Sequence, residues 1–242
     1  MRYLQHRILA GASSLDKLLG GGLPSDGVSL VYGEAETGKS SLAIQCSVNC
    51  ARAGLKSIFV DSDGTFSSRR LSQIAYNDYE EISPHIILIT PFTFQEQVEV
   101  LDHLEDYITK KVGLLVVDTI TSLYRVELGS QKETFELNRE LNRQIAYLSE
   151  IATSHKVATL ITSQVRSVFL GDRAKVEPVA RRVLKFWSKV VLNLKPTGQT
   201  RMIKAVLEKH PVRKGRASCY LTIDETGIRD YESSFSTIMD GS

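Results

Sequence analysis

The stretch Gly33-Glu34-Ala35-Glu36-Thr37-Gly38-Lys39-Ser40 decides how the rest of the chain is read. It matches the pattern G-x-x-x-x-G-K-S/T, with an apolar run at 28–32 (VSLVY) before it and a helical run at 40–52 (SSLAIQCSVNCAR) after it. That strand–loop–helix setting gives the pattern a mechanism. Successive backbone N–H groups of the loop and the N-terminus of the following helix form a cradle for phosphate oxygens. Lys39 then reaches the β- and γ-phosphates, and the Ser40 hydroxyl is placed to ligate Mg2+. The expected nucleotide contacts are Gly33, Glu34, Ala35, Glu36, Thr37, Gly38, Lys39, Ser40 and Ser41. Glu34 and Glu36 weaken phosphate binding unless they point to solvent, and Glu36 stands where such loops often carry glycine.

Outward from this loop, short apolar runs alternate with helical ones. Residues 57–61 (SIFVD), 86–90 (IILIT), 114–118 (LLVVD) and 157–163 read as strands. A helix is predicted over 94–110, with Val98, Leu101, Leu104, Tyr107 and Ile108 on one face, and another over 134–155, with Leu137, Leu141, Ile145, Leu148 and Ile151. Continuous apolar strands separated by helices imply a mostly parallel α/β sheet covered on both faces. Runs at 190–195, 202–207 and 219–224, joined by turn-rich segments, predict antiparallel C-terminal strands. Neither a repeat nor a linker interrupts 1–242, which reads as one domain.

Three further signals lie at strand ends. Asp118 closes LLVVD, the place where a carboxylate holds the Mg2+ shell of a bound nucleotide. A carboxylate in VDSDG (60–64), after the strand that follows the loop's helix, can sit opposite a γ-phosphate and orient an attacking water, or the stretch is an Asp-rich turn of the kind strand ends often carry; Gly64 fits either. Gln164, in TSQ at the end of 157–163, is placed to hydrogen-bond a γ-phosphate. The segment 165–179 behind it lacks clear periodicity and reads as a long loop that switches with the nucleotide.

Composition excludes several classes. With 42% hydrophobic and 24% charged residues the chain is ordinary globular protein, neither disordered nor fibrous. No apolar run reaches the length of a membrane span, and the N-terminal MRYLQHRILAG has no export signal, so a cytoplasmic protein is expected. Three cysteines supply no disulfide framework, and Cys46 and Cys50, one helical turn apart, read as core residues. The histidines have no ligand spacing, so no metal beyond Mg2+ is expected. The net charge of +2 hides an asymmetry: residues 166–216 carry 14 Lys and Arg against 3 acids, a local charge of +11 against −9 elsewhere. Such a segment suits a polyanion.

Taken in order, GASSLDKLLGGGLP (11–24), the phosphate loop, VDSDGTFSSRRL (60–71), LLVVDTITSLYR (114–125), LITSQV (160–165), FWSKVVLNL (186–194) and LTIDETGI (221–228) resemble the RecA/RadA recombinase superfamily over nearly the whole chain. The short N-terminus and WSKVV look most like its archaeal RadB paralogues. The resemblance implies a RecA-like P-loop ATPase core that binds ATP, Mg2+ and DNA, single strands preferred, in homologous recombination and repair. It implies that Lys39, Ser40 and Asp118 serve phosphate and Mg2+, that Arg70 stacks on adenine, and that Gln164 senses the γ-phosphate. It assigns DNA contacts to two segments: Arg125 and Lys132 in the first, and Arg166, Arg173, Lys175, Arg181 and Arg182 in the second. Implied partners are a RadA-type recombinase or Holliday-junction resolvase and further copies of the chain; Lys204, Lys209 and His210 either reach a neighbour's nucleotide or belong to the same solvated basic face as residues 213–216.

The chain departs from the family in three ways. Asp63 replaces a catalytic Glu one methylene longer, which predicts weak hydrolysis. Ala180-Arg181 replaces a common Gly-Gly pair, and the core begins near Ile8, without an N-terminal helical DNA-binding domain. Two other readings stand beside this one: an ATP-gated DNA-binding module with vestigial hydrolysis, and a KaiC-like signalling ATPase. Against the latter, Asp61-Ser62-Asp63 is followed by GTF where KaiC-type domains carry paired Glu. Phe186 and Trp187, which could stack on bases, read more readily as core.

Overall fold

The computed structural model describes residues 7–129, 131–170, 173–213 and 215–231, and the side chains of these apart from 131–133, 166–170 and 173–176. The chain opens with α1 (Ser13–Leu18), β1 (Val28–Gly33), α2 (Lys39–Arg52), β2 (Lys56–Asp61), α3 (Ser68–Ala75) and α4 (Tyr79–Ile82). It continues through β3 (Ile86–Ile89), α5 (Phe94–Asp102), α6 (Leu104–Tyr107), β4 (Val112–Asp118), α7 (Ser122–Val126) and α8 (Gln131–His155). Then come β5 (Ala158–Ser163), β6 (Val165–Leu170), β7 (Arg173–Pro178), α9 (Arg181–Trp187), β8 (Ser188–Pro196), β9 (Met202–Lys209), β10 (Ala217–Asp224) and β11 (Gly227–Asp230).

Nine strands form one sheet in the order β11-β10-β9-β8-β1-β5-β4-β2-β3. From β8 to β3 every pairing is parallel, and β9, β10 and β11 add antiparallel neighbours. This is the mixed α/β sheet that the run of apolar strands predicts. Because side chains alternate across a strand, each central strand feeds two cores. On one face Val31, Phe59, Leu114, Leu160 and Leu192 pack with Leu15 of α1 and Leu42 and Ile44 of α2. On the other, Leu30, Ile58, Val117 and Ile161 pack with Leu141, Ile145, Leu148 and Ile151 of α8 and Leu184 of α9. Cys46 and Cys50 lie in the first core, and burial pushes the Cys50 thiol up to about 12, which leaves it unreactive at neutral pH.

Two sequence readings are corrected. The segment 165–179 is not an irregular loop: β6 and β7 form a separate antiparallel ribbon, in register from Val165↔Pro178 to Leu170↔Arg173. It pairs only within itself, outside the nine-stranded sheet, and its sequence (VRSVFL, RAKVEP) lacks the apolar alternation by which strands are recognised. The helix expected over 94–110 divides at His103, whose φ of −100° and ψ of 4° end α5 and whose imidazole donates to the Glu99 carbonyl. Leu101 and Leu104 stay buried across the break, whereas Tyr107, expected on the apolar face, is exposed.

Candidate functional site

In a parallel sheet, loops at the carboxyl ends of adjacent strands open toward one crevice. Here those of β1, β2, β4 and β5 bring Gly33, Asp63, Thr119 and Gln164 to a cavity of about 540 Å3, which Lys39, Ser40, Ser41 and Arg70 also line. The loop after β1 is built for close approach. A Cβ on Gly33 would lie 2.2 Å from the Leu194 carbonyl oxygen, and Gly38 turns into α2 at φ +84° against Ile223. Thr37 Oγ1 and Lys39 Nζ both donate to the Glu34 carbonyl, at 2.8 and 2.6 Å. The Glu34 and Glu36 side chains are exposed, the arrangement under which they least oppose a phosphate. Glu36 adopts φ +60°, the left-handed conformation that favours the glycine found there in similar loops.

Lys39 is only 9% exposed. Burial lowers its pKa, and Asp118, Asp63 and Glu34 act against that shift. Asp118, 1% exposed, is pushed up by burial, opposed by hydrogen bonds from Thr162 and Ser40. The Asp61 carboxylate accepts from the Thr65 and Phe66 N–H groups at 3.2 and 2.8 Å and so holds the loop that carries Asp63. No cluster of three or more His, Cys, Asp or Glu side chains suited to a metal occurs among the described residues. Mg2+ commonly uses one or two protein oxygens with phosphates and water, so Ser40 beside the buried Asp118 fits an ion that arrives with a nucleotide.

Arg70 reaches the cavity from α3, whose Ser67 N-cap accepts from the Arg70 N–H at 3.2 Å. Its guanidinium donates to Ser41 Oγ at 3.1 Å and to the Glu225 carbonyl at 2.9 Å, tying the turn between β10 and β11 to α2. Sequence reasoning missed that this C-terminal hairpin borders the site. At the opposite lip, Arg125 of α7 donates to Gln164 Oε1, and Gln164 Nε2 lies 3.3 and 3.4 Å from the two oxygens of Asp63.

The basic segment is partly neutralised within the chain. Arg181 pairs with Glu177 at 2.8 Å, Lys189 with Asp26 at 3.0 Å, and Lys185 with Glu208. Arg182 is exposed on α9. The side chains of Lys132, Arg166, Arg173 and Lys175 lie outside the described residues, although β6 and β7 carry the last three. Within the chain, Lys209 Nζ donates to the Lys185 and Phe186 carbonyls at 3.0 and 3.3 Å, closing the C-terminus of α9. The His210 ring donates through Nε2 to the Leu19 carbonyl and accepts from the Val212 and Arg213 N–H groups, and Lys204 lies over the Tyr220 ring. Phe186, expected in the core, is 73% exposed, whereas Trp187 packs against the second core and donates to Asn142.

Fold and site together define a RecA-like P-loop protein. The Rad51 family model matches residues 2–231. "DNA repair and recombination protein RadB" of Methanococcoides burtonii is 34% identical over 95% of this chain and 100% of its own length. The protein of the same name from Thermococcus gammatolerans is 37% identical over 91% of this chain and 97% of its own. A solved structure titled "Crystal structure of the RadB recombinase" superposes with a TM-score of 0.79 at 33% identity, covering 93% of this chain and 100% of that one. The chain belongs to the Rad51 family, among its RadB proteins. That membership decides against the KaiC-like reading. No helix among the described residues is long and apolar enough to cross a membrane.

Proposed function

We propose that the chain is a cytoplasmic recombinase paralogue, acting as a single core domain, that binds ATP and DNA in homologous recombination and repair and hydrolyses ATP slowly while assisting a RadA-type recombinase. One observation carries the reading: Lys39, Ser40, Asp63, Arg70 and Gln164, drawn from different elements, line one cavity at the strand ends. Lys39, kept near carboxylates in a partly dry site, supplies positive charge where the β- and γ-phosphates would lie. Ser40 and Asp118 would hold Mg2+, which when bound offsets the phosphate charge. Asp63 and Gln164 line the same cavity, where one would orient water and the other would meet the terminal phosphate. Arg70 borders the side of the cavity where the base would lie.

The DNA contacts are assigned to Arg125, Lys132, Arg166, Arg173, Lys175, Arg181 and Arg182, on α7, α8, the β6–β7 ribbon and α9. The test is single-stranded DNA binding with no nucleotide, with ADP and with a non-hydrolysable ATP analogue, in wild type and Lys39→Ala. Affinity should change with nucleotide in wild type and be the same in all three conditions in the variant. Equal wild-type affinities, or normal ATP binding by a folded Lys39→Ala, would overturn the reading.

A second reading, an ATP-gated module with vestigial hydrolysis, is favoured by the short Asp63 and its engagement by Gln164. Asp63→Glu separates the two. Restoring the missing methylene should raise turnover by about ten- to a hundredfold, ~1–3 kcal/mol of barrier, whereas a site without catalytic competence stays silent in a steady-state assay.

A further inference from the structure

Arg125, Gln164 and Asp63 come from three different elements and form one hydrogen-bonded chain. The guanidinium of Arg125 donates to Gln164 Oε1, and Gln164 Nε2 lies 3.3 and 3.4 Å from Asp63 Oδ1 and Oδ2. The neighbours fix the orientation of the amide, because guanidinium only donates and an ionised carboxylate only accepts. Both ends of Gln164 are therefore occupied, and its N–H lies between the two oxygens with which Asp63 would hold an attacking water.

The backbone beneath this chain is pinned. Ser122 Oγ of α7 donates to the Ser62 carbonyl at 2.6 Å, and Thr121 Oγ1 shares a hydrogen bond with Ser163 Oγ of β5 at 3.2 Å. The Ser62 and Asp63 N–H groups donate to the Asp118 carbonyl at 2.9 and 3.3 Å. The three side chains lie instead along an open cavity of about 430 Å3, with Leu123 and Val126, where a ligand has access to them. A guanidinium bonded to a neutral amide oxygen has a better alternative in an ionised phosphate oxygen, to which a hydrogen bond is roughly twice as strong.

We propose that Arg125 is a positioning residue that keeps the hydrolytic site idle by holding Gln164 on Asp63, and that a nucleic-acid phosphate taking Arg125 releases both. This rests on the nucleotide and DNA reading above, and it assigns to Arg125 a coupling role that a phosphate contact alone would not have.

Steady-state ATP hydrolysis by the full chain, with and without a single-stranded oligonucleotide, tests it in wild type, Arg125→Ala and Arg125→Lys, with oligonucleotide binding followed by anisotropy. Arg125→Ala should raise DNA-free kcat about two- to tenfold, the size of one released hydrogen bond, at unchanged KM for ATP. The oligonucleotide should then add no further stimulation, and Arg125→Lys, which keeps a donor, should return the rate toward wild type. A DNA-free rate at or below wild type in Arg125→Ala, or undiminished stimulation, overturns the proposal.

The side-chain amide resonance of Gln164 provides a readout independent of turnover. It should move in the same direction on substituting Arg125 by Ala as on adding oligonucleotide to wild type; a resonance unmoved by the substitution also overturns the proposal. Failure of wild type to bind oligonucleotide in any nucleotide state would instead refute the DNA reading, while the DNA-free rate and the resonance still decide whether Arg125 holds Gln164.

Discussion

Glu36 and Ala180 occupy left-handed backbone, at φ +60° in the phosphate loop and φ +51° at the N-cap of α9. A side chain there costs about 1–2 kcal/mol, and glycine removes that penalty while making the unfolded chain more flexible. Glu36→Gly and Ala180→Gly should each stabilise the fold by ~0.5–1 kcal/mol in urea titrations, and Glu36→Gly should also tighten ATP binding by removing a charge from the phosphate loop. Asp118 presents the opposite situation, a carboxylate only 1% exposed. Burial raises its pKa above the unfolded value. The folded state therefore binds more protons than the unfolded one between the two pKa values, and stability falls as pH rises through that window. Asp118→Asn should lose this dependence. Its melting temperature should exceed wild type's by a margin that grows as pH rises from about 4, near the unfolded carboxylate pKa, and a constant margin would contradict the assignment.

At the scale of elements, long-range hydrogen bonds fasten the C-terminal hairpin to the site. Gln45, buried on α2, donates to the Ile228 carbonyl at 2.9 Å and accepts from the Ile228 N–H at 2.7 Å. It serves β11 as a further strand would, and a Cβ on Gly227 would lie 2.2 Å from its Oε1. Gln45→Ala leaves two buried backbone groups without partners, each worth about 1–3 kcal/mol. It should destabilise the chain by roughly 2–6 kcal/mol and expose the Ile228 amide to hydrogen exchange. Asp230 acts in the same region, accepting from the Ser13 and Ser14 N–H groups at 2.9 and 2.7 Å and so capping α1, whose own N-cap Ala12 has no side-chain oxygen. The hairpin, α1, α2 and Arg70 are thus fastened to one another beside the cavity.

For the whole molecule, the count of 14 Lys and Arg in residues 166–216 overstates the cations free to meet a polyanion. Glu177, Asp26 and Glu208 engage Arg181, Lys189 and Lys185, and Lys209 serves the end of α9. Exposed Arg182 should therefore matter more than Arg181. Each phosphate that a side chain neutralises adds roughly 0.7 to the steepness of log K against log salt for single strands. Arg182→Ala should flatten the slope by close to that full amount and Arg181→Ala by less, whatever the DNA sequence. Equal slopes for the two variants would count against this ordering.

Periodicity in residues 28–61 and 114–163 specified the sheet and helices, because apolar spacing is imposed locally by pleat and helical turn. The G-x-x-x-x-G-K-S run named the phosphate loop for the same reason: its chemistry depends on residues adjacent in sequence. Asp63, Asp118 and Gln164 were legible as candidates from their places at strand ends. Only the fold could show that Gln164 lies on Asp63 with Arg125 behind it, since that contact joins residues 101 and 39 positions apart. Likewise, a charge count could not reveal that Lys209 closes α9, that Arg181 is paired, or that β6 and β7 form a ribbon. Those outcomes depend on which surfaces meet, and such meetings are settled by packing across the sheet, where residues remote in the chain compete for the same partners.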